Sequence, residues 1–316
     1  MSFLGKILPF KSGIPSDDTF ARVFSLLNPT LFRACFADWV QNIIERSGKS
    51  IAIDGKSLRR SRSKNQPELH MVSAWADESG FILAQKSVED KSNEIMAIKD
   101  LLEILDLRDC LVTIDALGGQ KGIAKKVIEQ GGDYVLALKD NQKSLNKAVQ
   151  EVFSGKRKVA IMQTVFDEYE ESEKGHGRFE KRSCRVINVT HLPVDIAGWA
   201  DLKSLIEVTR VRGIGEEASS QKHYYISSLE EGAQAMSRYI RNHWGIENKA
   251  HWVLDVVFRE DDSRIRTRHA AENMAILRHV SMNLIRKDPG KGSLGGKRKK
   301  AGWSNDYLLT LIHSNF

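Results

Sequence analysis

Cysteine is scarce in this chain: Cys35, Cys110 and Cys184 lie far apart among 316 residues. Three thiols at such spacing build neither a disulfide framework nor a thiolate metal site, and they suit a reducing compartment, so a cytoplasmic location is expected. No run of about 18 apolar residues occurs, which argues against a membrane-spanning helix. The N-terminal MSFLGKILPFKSG lacks both a long apolar stretch and a small-residue cleavage site, so it does not read as a secretory signal. Internal repeats are also missing. What is present is a globular balance, with 41% hydrophobic and 28% charged residues. That length accommodates one large domain or two ordinary ones. The formal net charge of +7 favours a polyanionic partner, nucleic acid being the usual one, although charge alone does not decide the matter.

Apolar periodicity divides the chain. Residues 13–48 read as helical: Pro15-Ser16-Asp17-Asp18 supplies capping residues ahead of Phe20, Val23, Phe24 and Leu27, and Phe32, Phe36, Trp39, Val40 and Ile43 continue the pattern. From Ser50 the pattern changes to strands: SIAID (50–54), LHMVSAWA (69–76) and FILAQKSV (81–88), the last two joined by the turn residues Asp77-Glu78-Ser79-Gly80. A helical stripe over 93–106, a strand CLVTID (110–115), a helix through Ile123 and Val127, a strand DYVLALK (133–139) and a helix over 142–153 follow. Three antiparallel strands and then two joined by helical crossovers are the order of a ribonuclease-H-like fold, an α/β class with a mixed five-stranded sheet. Residues 155–228 are β-rich and read as an insertion in that fold. Ser228-Leu-Glu-Glu231 resembles a capping box opening a long helix through Met236, Ile240, His243, Trp244 and Glu247 to about Val257. A last helix is expected near 268–286, and the Gly- and Lys-rich stretch 289–300 reads as a flexible basic linker. The expected organisation is therefore a helical segment (1–48), a first core part (49–154), the β-insertion (155–228), flanking helices that carry Glu247 (229–288), and a basic linker and tail (289–316).

The candidate chemistry lies in three acids. Asp54 and Asp115 each close a buried strand, at the carboxyl edge where sites gather in sheets with parallel strands. A carboxylate there is costly unless a positive partner compensates it, and a magnesium ion takes oxygen ligands. Taken singly, each aspartate is also explained as a cap on the following turn. Glu247 falls on one helical stripe with Met236, Ile240 and His243, at i, i+4, i+7 and i+11. Three such carboxylates are tolerable when divalent cations neutralise them, and a pair of ions about 3.5–4 Å apart supports in-line displacement at phosphorus. A salt bridge from Glu247 to Arg241 or Lys249 is the alternative.

IAIDGKSLRRS (51–61), LVTIDALGGQK (111–121), YVLALKDNQ (134–142), HGRFEKR (176–182) and RNHWGIENKAHWVLDVVFREDDSRIR (241–266), with PSDDTFARVF (15–24) upstream, together resemble the insertion-sequence transposases of the ISAs type, which include the H-repeat-associated proteins. The resemblance covers nearly the whole chain. It implies a ribonuclease-H-like core and an acidic DDE triad, which falls by motif on Asp54, Asp115 and Glu247 as metal ligands and catalytic groups. It further implies two Mg²⁺ ions, with Mn²⁺ as a substitute, and action on the DNA ends of a mobile element: strand cleavage, then transfer into target DNA. Two positions depart from the signature of related transposases along the last catalytic helix. Leu254 and Asp255 stand where a lysine is expected, and His243 where an arginine is, with Arg241 two residues earlier. The helical region before Pro15 is short beside typical members, which raises a truncated copy that only binds DNA as one alternative. A ribonuclease-H-like nuclease without strand transfer is another.

Basic residues suggest a DNA path. Lys56, Arg59 and Arg60 follow the first aspartate, Lys139 follows the fifth strand, and Arg178 and Arg182 alternate with His176 and Glu180 along one strand of the insertion; Arg241 and Lys249 flank Glu247. Such groups position a phosphate backbone without reading sequence, although a solvated edge strand accounts equally well for any one of those in the insertion. Trp244 and Trp252 read as packing residues. His243 and His251 match no zinc spacing and read as core or hydrogen-bonding groups. A dimer on DNA, a nucleoid-associated location and no membrane partner are expected.

Overall fold

In this computed structural model, which describes residues 3–6, 13–43, 50–62, 67–88, 93–156, 166–175, 178–189, 198–214 and 217–313, a single nine-stranded mixed sheet runs in the order β3-β2-β1-β4-β5-β9-β8-β7-β6. β1 (Ser50–Ser57), β2 (His70–Ala76) and β3 (Phe81–Val88) form an antiparallel meander. Gly80, at φ +72°, closes the turn between the second and third strands in the left-handed conformation that glycine accepts without strain. β4 (Leu111–Ile114) and β5 (Asp133–Leu138) run parallel to β1. They are reached through α3 (Glu94–Ile104) and α4 (Lys121–Glu129), and α5 (Lys143–Phe153) follows β5.

The five-stranded sheet expected from the sequence is thus too small. β6 (Asp167–Gly175), β7 (Arg178–Asn188), β8 (Ser204–Ile214) and β9 (Glu217–Ser227) form an antiparallel meander. Its last strand pairs with β5 (Val135 with Ser227, Leu138 with Tyr224), so the insertion extends the same sheet. Hydrogen bonding drives this. β5 would otherwise be an edge strand with unpaired backbone groups, and β9 satisfies them.

Strand alternation sorts side chains onto two faces. One face presents Ile51, Ile53, Val112, Ile114, Tyr134 and Leu136 to α3, α4 and α5 in the main core. The other presents Ala52, Trp75 and Ile82 to α2 (Pro29–Ile43) and to the C-terminal helices. On that same face Leu111, Val135 and Ile206 meet α6 (Ala233–His243).

The long helix expected from residue 228 differs in two ways. It starts at Ala233, because Ser228 instead donates to Asp133 Oδ1 at 2.7 Å and accepts from the Tyr134 N–H at 2.9 Å. Asp167 of β6 supplies the cap, its Oδ2 accepting from the Ala233 N–H at 2.6 Å. The helix is then interrupted by a π-helical segment, Ile246–His251, before α7 (Trp252–Val256).

α8 (Ala270–Lys287) fastens the outer parts of the fold. Its buried Asn273 donates to the carbonyls of Phe24 (2.8 Å) and Leu27 (3.0 Å), tying down the end of α1 (Asp17–Leu26). As read from the sequence, Ser16 caps α1, accepting from the Thr19 N–H at 3.3 Å. Residues 289–300, expected as a linker, are helical from Leu294: α9 (Leu294–Trp303) and α10 (Asn305–His313) follow, with Asp288 held by Lys297 and Tyr307. Among the described residues no helix is long and apolar enough to cross a membrane.

Fully buried Asn283 imitates a neighbouring strand on the outer edge of β3, accepting from the Ile82 N–H (3.1 Å) and donating to the Ile82 carbonyl (2.9 Å). Asn283→Ala strands both backbone groups in the interior. A loss of about 2–4 kcal/mol is expected, read as a lower urea midpoint at unchanged slope.

Candidate active site

The registry of two parallel strands sets up the site. Ile53 lies opposite Ile114, so the next residues, Asp54 and Asp115, stand side by side at the carboxyl edge on the face covered by α6. Asp54, Asp115 and Glu247 all line one cavity of about 170 Å³, together with Thr113, Lys139, His223, His243 and Trp244. Glu247, the one acid of the π segment, stands at the exposed rim. The stripe read from the sequence runs from the interior outwards: Met236 and Ile240 are buried, His243 is half-buried and Glu247 meets solvent. The alternative ion pair does not form, since Arg241 bonds to Glu171 (3.0 Å) and Glu173 and Lys249 bonds to Asp77 (3.1 Å).

The acids differ in environment. Burial raises the pKa of Asp54 to about 7, with Asp115, Glu247 and Glu94 adding to the rise and the Gly55 N–H opposing it. Burial, then Asp115, raises that of Glu247. Asp115 also caps its own turn, Oδ1 accepting from the Leu117 N–H (3.0 Å) and the Gly118 N–H (3.4 Å), as its alternative reading proposed.

A buried histidine layer lies behind Asp54. His251 Nδ1 is 3.6 Å from Asp54 Oδ2. Burial, then Lys56, His70 and His243, pushes the pKa of His251 down to about 3, so it stands neutral beside the acid. His243 bonds to Thr113 Oγ1 at 3.0 Å, the hydrogen-bonding role expected of it. On the opposite face, His70 and Glu94 pair at 3.3 Å beneath Gly55. A Cβ at Gly55 would come within 2.3 Å of His70 Nε2 and 2.4 Å of Glu94 Oε1, so only glycine fits after Asp54.

The predicted basic residues separate. Lys139 lines the cavity. Lys56, expected at a phosphate, is committed to the interior: its ammonium lies 2.6 Å from Asp255, 3.0 Å from Glu260 and 3.6 Å from Asp261. Arg59 and Arg60 approach Asp261 (3.5 Å) and Asp262 (3.8 Å). Arg182 pairs with Glu171 (3.5 Å) and Glu180. Arg178 begins β7, and its side chain, like His176, lies outside the described residues.

Leu254 is a core residue and Asp255 binds Lys56, so neither position presents a cation to the cavity. The tryptophans do not pack as expected: Trp244 is 45% and Trp252 56% exposed. Ile246, Ala250, Val253 and Leu254 turn to the core instead, and they leave Trp252 outside. His223 of β9 is a cavity residue that the sequence did not reveal, since its place depends on the pairing of β9 with β5.

Three carboxylates are the hard oxygen donors that Mg²⁺ takes, and a cation beside Asp54 would relieve the repulsion that helps raise its pKa. Among the described residues, however, no three acidic, imidazole or thiol groups stand together as a ready metal cluster. A raised carboxylate pKa stabilises the fold at low pH, and that stability is lost as pH climbs from the unfolded value near 4 through about 7. Asp54→Asn is therefore expected to stabilise the protein in a chelator by up to about 3–4 kcal/mol. The gain should grow between pH 4 and 7 and level off above, as followed by thermal melting across pH.

A family model described as "Transposase DDE domain" matches residues 45–284, and one described as "DDE_Tnp_1-associated" matches residues 1–40. Protein YbfL of Escherichia coli (strain K12) is 40% identical over 99% of this chain and 84% of its own length. The H repeat-associated protein YhhI of the same strain is 39% identical over 99% and 84%. YncI of Escherichia coli O157:H7 is 41% identical over 99% and 82%; these last two are named as candidate transposases. A solved piggyBac transposase synaptic complex with hairpin DNA overlaps at TM-score 0.44 and 11% identity, over 95% of this chain and 59% of that one, too slight a likeness to carry an argument. The family match spans the strands and helices that bring Asp54, Asp115 and Glu247 to one cavity, and the chain belongs to the DDE transposase family, alongside the H repeat-associated proteins.

Proposed function

We propose that this protein cuts DNA strands at the ends of a mobile element and joins the freed 3′ ends to target DNA, with Asp54, Asp115 and Glu247 as its acidic triad. One observation carries this reading: three acids from β1, the end of β4 and the π segment share one cavity at the carboxyl edge of the sheet. The same reading takes β3-β2-β1-β4-β5 as a ribonuclease-H-like core that the insertion prolongs.

Asp54, Asp115 and Glu247 would hold divalent ions, Mg²⁺ or in its place Mn²⁺, which when bound supply Lewis-acid activation for displacement at phosphorus. The protein's own part is orientation. The Leu117 and Gly118 N–H groups hold one oxygen of Asp115 and leave the other for a ligand. Neutral His251 adjoins Asp54 without cancelling its charge. Glu247, on the exposed rim, presents its carboxylate to the cavity from the helical layer. Surface arginines of the insertion and of α6 would hold the DNA backbone, and two copies would be required to bring two ends together.

The test is incubation of the purified protein, in Mg²⁺, with duplexes that carry the DNA flanking its reading frame. Nicked and joined products are expected. Asp54→Asn, Asp115→Asn and Glu247→Gln should each lower cleavage by at least about a thousandfold while sparing DNA binding. Full cleavage by any one of them removes that residue from the triad, binding without cleavage makes the protein a DNA-binding one, and cleavage without joining makes it a nuclease.

A further inference from the structure

The cavity has a second wall, opposite in character to the acids. Ala137 of β5 lies opposite Tyr225 of β9, and Leu138 opposite Tyr224, so Lys139 and His223 come next along the antiparallel pair and stand as neighbours. Alternation puts both on the face of Val135 and Ala137, the face of Asp115, and both line the cavity. Ala137 and Tyr225 are the residues level with Asp115, and Lys139 and His223 stand two residues farther along the same strands, so this face carries two acids on β1 and β4 and then, one step outward, two basic groups on β5 and β9. Farther out on the same face Arg182 and Arg210 stand opposite each other on β7 and β8, with Glu180 beside them.

Lys139 and His223 are unusual among the basic groups of this region. Arg182, Arg210, Arg212 and Arg241 all pair with glutamates. Neither Lys139 nor His223 has a side-chain hydrogen bond or ion pair among the described residues, although they are close enough for Lys139, after burial, to lower the pKa of His223. Two basic side chains held side by side without an acid, facing a cavity, form a place for an anion that arrives from outside. A DNA strand laid over the acids needs such a place, because its neighbouring phosphates would otherwise meet only carboxylates.

We infer that Lys139 and His223 form a phosphate subsite that grips the backbone phosphodiester adjoining the one presented to Asp54, Asp115 and Glu247. The inference rests on the DNA-processing role proposed above. Lys139 supplies charge and His223 a ring N–H donor. The arginines of β7 and β8 continue the track outwards. The strand therefore crosses the sheet from the acids towards the insertion.

Binding of a fluorescent DNA duplex, followed by anisotropy in EDTA over a salt series, tests this without any cleavage. Lys139→Ala is expected to reduce the slope of log affinity against log salt by about one, the signature of one lost phosphate contact, and Lys139→Arg to restore it. His223→Gln is expected to weaken binding about three- to tenfold with the slope retained. The double variant should lose less than the product of the single effects, because both groups hold one phosphate. Lys125→Ala, on α4 across the sheet, should leave affinity and slope unchanged, and matched melting curves for every variant should show that the fold is intact. Wild-type affinity and slope in Lys139→Ala and His223→Gln would overturn the subsite while leaving the triad standing. Failure of the unaltered protein to bind any duplex would instead overturn the proposed function.

Discussion

Two like-charged groups stand side by side at the centre of this structure because two parallel strands share a registry. Ile53 and Ile114 are paired, and the chain has no choice but to place Asp54 next to Asp115. Burial and mutual repulsion lift the pKa of Asp54 to about 7. Such an arrangement persists only where the surroundings over-determine it. The hydrophobic face beneath, built on Ile51, Ile53, Val112 and Ile114, holds the two strands in that registry, and the Gly55 position, closed by His70 and Glu94, leaves the chain after Asp54 no room to move. Stability is given up locally to keep two carboxylates side by side at one cavity.

The helical layer solves a related problem. One helical run must pack on β4, β5 and β8 through Met236 and Ile240, then on β1 and β2 through Ile246, Ala250, Val253 and Leu254, while Glu247 stays at the cavity. The run is interrupted at Ile246–His251 by a π segment, a local feature that recurs at functional sites. Arg286 steadies it: its guanidinium lies 4.3 Å over the Trp75 ring and donates to the carbonyls of Lys249 and Gly80, so the π segment, α8 and the β2–β3 turn are held by one side chain.

The insertion, continuous with the sheet, lengthens the working face rather than adding a separate body. Its strands project beyond the carboxyl edge and carry arginines on the cavity face, balanced by Glu171, Glu173 and Glu180. These internal pairs restrain the side chains of a strongly charged surface. They also mean that a polyanion binding there exchanges one set of ion pairs for another, so affinity and salt dependence reflect differences and not a simple count of arginines.

Local physics wrote much of this into the sequence. Strand and helix periods in residues 50–153 are regular because those elements bury one or two full faces, and the acids at Asp54 and Asp115 are visible because a charge ending an apolar run is conspicuous. Glu247 was legible from its stripe with Met236 and Ile240. What the sequence could not supply was anything that depends on which distant backbone completes an edge. The pairing of β9 with β5 made nine strands of five, and it carried His223 to Lys139. The destination of Lys56, paired with Asp255 and Glu260 and not displayed to solvent, was equally hidden, as were the exposure of Trp244 and Trp252 and the π segment. Periodicity reports what a residue does relative to its own element. Charge partners, sheet edges and helix phase are settled by whichever element arrives from elsewhere in the chain, and only the assembled tertiary structure decides them.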